Sequence, residues 1–345
     1  MFTFRIILMM LCCLISLTVP AADVQQQMDE AEDYLTVNPA HSLMLLDTAG
    51  PITAPAEDAL RWHILSIRAA VPTNQLERIL PSLDIIFSYQ QHPLFTQHLT
   101  SINSAAAIWL RRNNYLHDAR LSLVCAQKYA TDNRQKITLL NSMGLVNRQL
   151  NDTDLAKQQF NQALSLATEV QNIKVMAMVE NNLGLLALDQ EEWEQAERHL
   201  RTALMHYQAI SQRSGQISAG LNLLLTFMLQ QDFSSFQRLY TPTAALTEAF
   251  VNDAKHALLL WLKTRQQQLS GQSINTEQKQ ALQQAYSQLE DNKTQQLIYK
   301  HLAPLLQVKL RPPVTVQRQQ FSRSWFALIK TCNWPLPVSS LQPAG

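Results

Sequence analysis

Two stretches forty residues apart, Leu140-Asn141-Ser142-Met143-Gly144-Leu145 and Glu180-Asn181-Asn182-Leu183-Gly184-Leu185, open copies of one unit. A period of this length marks stacked helical hairpins, each of which buries its apolar face only against its neighbours. Counting from the glycines sets the register. Gly144 is followed by Ala156, Phe160 and Ala163, and Gly184 by Ala196, Leu200 and Ala203 at the same offsets. Small residues there let two antiparallel helices approach closely, and the larger ones fill the groove between hairpins. A glycine inside a helix costs roughly 1 kcal/mol relative to Ala. Gly144 and Gly184 are therefore expected at close helix contacts, whereas Gly215 is expected in a connection.

These positions resemble the tetratricopeptide repeat. Leu140, Met143, Gly144, Ala156, Phe160 and Ala163 match its small and large positions in one copy. Leu183, Gly184, Trp193, Ala196, Leu200 and Ala203 match in the next, with Glu180 in place of a bulky residue. The spacing exceeds the usual ~34 residues, which points to longer helices, as in the repeats of kinesin light chains and some bacterial regulators. Weaker copies flank these two. Ala107, Ala119, Leu123 and Ala126 keep the offsets upstream, and Asn222-Leu223-Leu224, Phe233 and Tyr240 keep the bulky positions downstream.

The resemblance implies an all-α chain, an α-solenoid of tetratricopeptide-like helical hairpins with a helical C-terminal extension. Seven Gly in 345 residues and no run of alternating apolar residues agree with that class. The expected divisions are a signal peptide at 1–21, degenerate hairpins at 22–97, the array at 98–245, the extension at 246–310 and a basic, Pro-containing tail at 311–345. From Pro242 the offsets are lost. A helix is expected from about Thr243 to Gln268, then a loop at Ser270-Gly271-Gln272-Ser273, with Asn275 or Thr276 capping the next helix.

Arg5, the apolar run Ile6 to Thr18 and Val19-Pro20-Ala21 read as a secretory signal with a small-residue cleavage site. A run this short falls below the ~20 residues of a membrane span, a retained anchor being the alternative. Cys12 and Cys13 lie inside the run without the small residues that precede a lipidated Cys. A tetratricopeptide-like chain that is exported is mainly a bacterial combination, so the periplasm of a Gram-negative bacterium is the expected location. Cys125 and Cys332 then remain. An oxidising compartment permits them to pair; otherwise they are two separate small apolar side chains.

The formal net charge of +1 conceals a split. Residues 293–345 carry seven Lys or Arg and no Asp or Glu, which leaves 21 basic and 27 acidic side chains before them. Such an end is expected either to dock on the acidic body or to meet an anionic partner. Phe321, Trp325, Leu328 and Ile329 recur at helical spacing near Arg318 and Lys330. That pattern fits packing onto the solenoid or peripheral membrane contact through residues 311–330.

No phosphate-binding loop, nucleophile elbow, zinc-protease motif or Cys-x-x-Cys occurs. No catalytic, cofactor-binding or metal-binding residue is therefore assigned, and nucleic acid is excluded as a partner because the basic residues form no known module. His199 and His206 stand two helical turns apart, roughly 10 Å, which is too far for easy shared coordination. His92 and His98 carry no better support. Asp189-Glu191-Glu192-Glu194 read as a solvated hairpin turn and helix start.

The first helices of the hairpins offer a concave face instead. By the register of the resemblance it takes Asn141, Leu145 and Arg148 from one copy and Asn181, Leu185 and Leu188 from the next. Arg111 and Arg112 add to it upstream, and Leu221, Leu225 and Met228 downstream. Asn182 and Asn222 lie one position on, where related repeats use Asn to hold a peptide backbone; the alternative is that they bond within the hairpin. An Asn side chain donates and accepts, so a ladder of them can hold an extended chain without reading its side chains. The face looks suited to an extended or helical protein segment more than to an acidic C-terminus. The reading is a non-catalytic periplasmic adaptor or sensor accessory that binds another protein or peptide. The alternative is an envelope assembly factor whose basic end contacts anionic lipid or cell-wall polymer.

Overall fold

A computed structural model describes residues 21–313 and 320–335, with side chains from residue 24 onward. The expected leader through Pro20, Arg318 and the chain beyond Pro335 lie outside the described residues. Within them every regular element is helical, and none is long and apolar enough to cross a membrane.

The chain divides into two compact units at Ala105–Ala106. The first contains α1 (Ala21–Tyr34), α2 (Pro39–Ala49), α3 (Ala56–Thr73), α4 (Ile79–Ser88), α5 (Pro93–Gln97) and the first half of α6 (Leu99–Arg112). Breaker residues in the sequence punctuate it. Asn38 caps α2 by accepting from the His41 N–H, with Pro39 in the first turn, and Asn74 closes α3 in a left-handed conformation. Its core gathers Met28, Leu43, Leu46, Trp62 and Leu65. The Trp62 indole N–H donates to the Leu46 carbonyl at 3.1 Å.

The second unit continues from α6 through α7 (Leu116–Lys128), α8 (Asn133–Gln149), α9 (Thr153–Glu169), α10 (Ile173–Asp189), α11 (Trp193–Ala209), α12 (Arg213–Gln230), α13 (Phe233–Glu248), α14 (Asp253–Leu269), α15 (Thr276–Gln288), α16 (Asn292–Leu297) and α17 (Phe326–Thr331). The helices α8, α10, α12 and α14 start at every fortieth residue, so the period runs one copy further than the residue pattern shows. Helix α13 passes through Pro242 and ends at Glu248, and α14 begins at Asp253; the single helix expected from Thr243 to Gln268 is two. Pro242 removes one N–H from α13 without ending it. Left-handed residues keep the same rhythm: Asn151, Glu191 and Gln231 close the hairpins, and Gln171 and Ser211 join them. No common residue type marks these positions, because a few non-glycine residues tolerate this backbone when packing holds it.

Packing follows the glycine register. A Cβ at Gly144 would meet the Phe160 ring, and one at Gly184 would lie 2.6 Å from Leu200 Cγ. Gly215 departs from its expected place. It is buried in α12, where a Cβ would run into the Tyr207 ring, so it is a third close approach and not a connection.

The extension closes the array. Trp261 and Leu262 of α14, Leu282 of α15, Leu297 and the single π-helical turn Ile298–Leu302 bury against Leu221, Leu224 and Phe227 of α12 in one core. Asn275 caps α15 in a capping box with Gln278. The tail is bonded to the array: Cys125 and Cys332 form a disulfide with a Cα–Cα distance of 5.6 Å. Phe321, Phe326 and Ile329 are buried, and Phe321 packs among Trp109, Tyr115 and Trp325. The Phe321 N–H donates to Asp118 Oδ2 at 2.7 Å, and Lys128 Nζ donates to the Cys332 carbonyl at 2.8 Å.

Candidate functional site

Residues 141, 145 and 148 fall on one helical face, and the forty-residue repeat places 181 and 185 beside them on the next first helix. The structure brings Arg111, Arg112, Leu145, Arg148, Asn181, Asn182, Leu185 and Asn222 around one small cavity of about 140 Å³. The far side of this cavity is the chain's own Leu289–Asp291 turn, joined by Lys255 and Leu258 of α14.

The asparagines form a ladder between hairpins. Asn182 Nδ2 donates to Asn141 Oδ1 at 2.7 Å, and Asn222 Nδ2 donates to Asn181 Oδ1 at 3.1 Å. All four are buried. Neither expectation for Asn182 and Asn222 describes this: their amides bond across neighbouring first helices, not within a hairpin and not to a free groove. A buried amide without a partner costs about 1–3 kcal/mol, which gives the ladder a packing role of its own.

Leu188, Leu221, Leu225 and Met228 leave the candidate surface. They are buried in the core shared with α14 and the extension, because α14 adds a further layer where the sequence pattern ended. Leu145 and Leu185 stay half-exposed on the cavity wall.

Arg148 has a different part from the one expected. Its side chain is 1% exposed and forks onto Asp189, with Nε to Oδ2 at 2.6 Å and Nη2 to Oδ1 at 2.9 Å. Its third donor, Nη1, reaches Asp291 Oδ2 at 2.9 Å. Burial by itself would lower the Arg148 pKa, but the two carboxylates hold it above the ordinary value. Burial would likewise raise Asp291; Arg148 and the Thr294 N–H and hydroxyl hold it below the usual carboxylate range. Asp189 corrects the reading of the acidic cluster. It is the last residue of α10, where the helix dipole disfavours a carboxylate, and Arg148 compensates.

Glu290 completes the turn. It lies 2.6 Å from Lys255 Nζ and 3.4 Å from Arg112. The Lys255 charge draws its pKa down to about 2, against the opposing effect of burial. Nearby, Lys300 pairs with Glu191, so a basic side chain of the charged end docks on the acidic body. Sequence reasoning missed Lys255, Glu290 and Asp291. Asp291 is legible as the cap of α16, since its side chain accepts from the Thr294 N–H, but nothing local signals an arginine so far away in the chain.

A second cavity, of about 610 Å³, lies on the other side of the same turn. It is bounded by the end of α6, the start of α7, the hairpin turn at 149–152 and the Leu289–Gln296 segment. Among the described residues no group of three or more His, Cys, Asp or Glu could hold a metal. His199 instead meets Glu180 at 2.7 Å.

Fold and face together define a tetratricopeptide-like helical repeat protein. The chain matches no protein-family model and none of the curated proteins. Among solved structures it is similar to a Rap protein complexed with competence and sporulation factor, with a TM-score of 0.60 at 15% identity over 83% of this chain and 85% of that one. Aspartyl phosphate phosphatase F from Bacillus subtilis aligns more loosely, with a TM-score of 0.46 at 12% identity over 84% and 82%. At these identities the likeness is one of fold.

Proposed function

We propose that this chain is a non-catalytic adaptor or sensor accessory of the bacterial periplasm that binds a protein or peptide segment on the face built from α8, α10, α12 and α14. One observation carries the reading: the face already holds a stretch of chain, its own Leu289–Asp291 turn, through Arg112, Arg148 and Lys255. A surface that seats its own turn by side-chain ion pairs has the chemistry to seat another segment beside it. The similar Rap structure, in complex with competence and sporulation factor, supports that use of the fold. The Cys125–Cys332 bond and the leader-like start support export.

The envelope-assembly reading is weaker. Among the described residues of this stretch Phe321, Phe326 and Ile329 are packed inward, which leaves less apolar surface for contact with anionic lipid or cell-wall polymer.

Site-specific photocrosslinking in cells tests the first reading. A crosslinker at Leu185, on the face, should give a discrete adduct in the envelope fraction, and one at the exposed Met205 of α11 should not. Equal adducts at both positions, or none at Leu185, would overturn it.

A further inference from the structure

Resting on that reading, we infer that the cavity of about 140 Å³ on the face seats a primary carboxamide, the end of an Asn or Gln side chain of the bound segment. The ladder supplies the wall. Asn181, Asn182 and Asn222 line this cavity and are 8%, 7% and 7% exposed. Each ladder bond uses one half of each amide: Asn182 and Asn222 donate through Nδ2, and Asn181 accepts at Oδ1. The carbonyl oxygens of Asn182 and Asn222 and the NH2 group of Asn181 are left without a protein partner among the described residues. These ends are not sealed in, as Asn147 Oδ1 is, so they stay open to what enters.

Size and charge select the ligand. The cavity of about 140 Å³ has the liquid volume of roughly five waters at about 30 Å³ each, below the roughly 300 Å³ at which a pocket encloses a whole small ligand. It takes the end of one side chain. Its charges are matched already: Arg148 holds Asp291, and Lys255 and Arg112 hold Glu290. Arg111, the cation left over among the lining residues, is half-exposed. A further carboxylate would face Glu290, Asp291 and the two amide oxygens, and a further cation would face the arginines and the lysine. A neutral group that both donates and accepts meets neither conflict. A primary carboxamide carries two N–H donors and one carbonyl acceptor on a single planar group, the complement of two free oxygens and a free NH2. A backbone amide points its one N–H and its C=O to opposite sides of a trans plane, so it cannot offer both to one wall, and an apolar side chain would leave the ladder ends unpaired away from water. The forty-residue register brings the asparagines together, but which half of each amide is spent on the ladder is decided by the fold.

The test is side-chain amide NMR on the isotope-labelled full chain, with small probes and with capped pentapeptides. Propionamide should shift the Asn181 side-chain NH2 signals saturably, whereas N-methylpropionamide and sodium propionate should not. Peptides of sequence Gly-Ser-X-Ser-Gly, acetylated at one end and closed by an N-methylamide at the other, should bind at least fivefold more tightly with Gln at X than with Glu or Leu. Asn181→Asp keeps the oxygen that accepts from Asn222 and removes the free NH2; it should erase the Gln preference with circular dichroism unchanged. Asn181 signals unmoved by propionamide, equal shifts with N-methylpropionamide, tighter binding of the Glu peptide, equal binding of the Gln and Leu peptides, binding of no peptide, or an Asn181→Asp variant that discriminates like the parent would each overturn the assignment. Should Asn181→Asp fail to fold, the probe and peptide series on the parent protein decides. An envelope adduct at Leu185 without any Gln preference would sink the carboxamide seat alone and leave the face reading standing; a propionamide shift and a Gln preference without the adduct would do the reverse.

Discussion

A methyl group at Gly215 would enter the space of the Tyr207 ring, as one at Gly144 would enter that of Phe160. Overpacking of this kind costs about 1–3 kcal/mol. Gly215→Ala is therefore expected to lower stability by about as much as Gly144→Ala, and an unchanged melting temperature would show that the Tyr207 ring turns aside freely. Arg148 sets a larger effect. Removing it leaves Asp189 and Asp291 as buried carboxylates without their cation, and breaking a buried pair in this way costs about 3–5 kcal/mol. Arg148→Ala should lower the urea midpoint accordingly, and a loss under 1 kcal/mol would mean that water reaches the two acids. Arg148 was legible as a residue of the right helix face. Its burial was not, because the acids that enclose it come from the far end of α10 and from the extension.

The Leu289–Asp291 turn is the element that links the array to its extension. Glu290 is held down to about 2 and Asp291 below its usual range. For groups depressed in the folded state, the contribution to stability is complete above the ordinary carboxylate value, 4.5 for Glu290, and is lost as pH falls from there toward 2. The protection of the Thr294 N–H, which donates to Asp291, measured as its exchange rate relative to the intrinsic rate at each pH, should be high at pH 6 and fall on acidification through that interval. A protection factor unchanged down to pH 2 would show that the turn is held by its apolar neighbours. The helices themselves were mostly legible: breakers such as Asn38-Pro39 and Asn113-Asn114 mark the turns, and Asn275 marks a cap. That α14 begins a further repeat was not, because its packing residues Trp261 and Leu262 follow no glycine and the forty-residue pattern ends before it.

For the molecule as a whole, the bond between Cys125 and Cys332 spans a sequence separation of 207 residues. In the loop-entropy account such a closure stabilises by about 5 kcal/mol. The tail adds contacts of its own on α7, through Phe321, Phe326 and the Tyr129 hydroxyl, which donates to the Trp334 carbonyl at 2.9 Å. Truncation after Leu310 is accordingly expected to lower the melting temperature of the remaining chain, and reduction alone to open the segment beyond Arg311 to protease. An unchanged melting temperature on truncation would mean that the charged end serves an external partner and not the body.

Periodicity was enough to establish the class of the fold, because small and large residues at constant offsets can satisfy close helix contacts in only a few ways, and stacked hairpins are the one with this repeat length. It also placed eight residues that share a cavity wall. It did not separate wall from core. Whether Leu188, Leu221 and Leu225 face water depends on whether another layer covers them, and α14 with the extension covers them. Nor did it show that Arg148 is buried against two carboxylates while Arg111 stays half-exposed, since both are arginines on first helices of the same register. That difference comes from where Asp189, Glu290 and Asp291 arrive in space, and charge pairing across such separations is set by the folded chain, not by any local pattern.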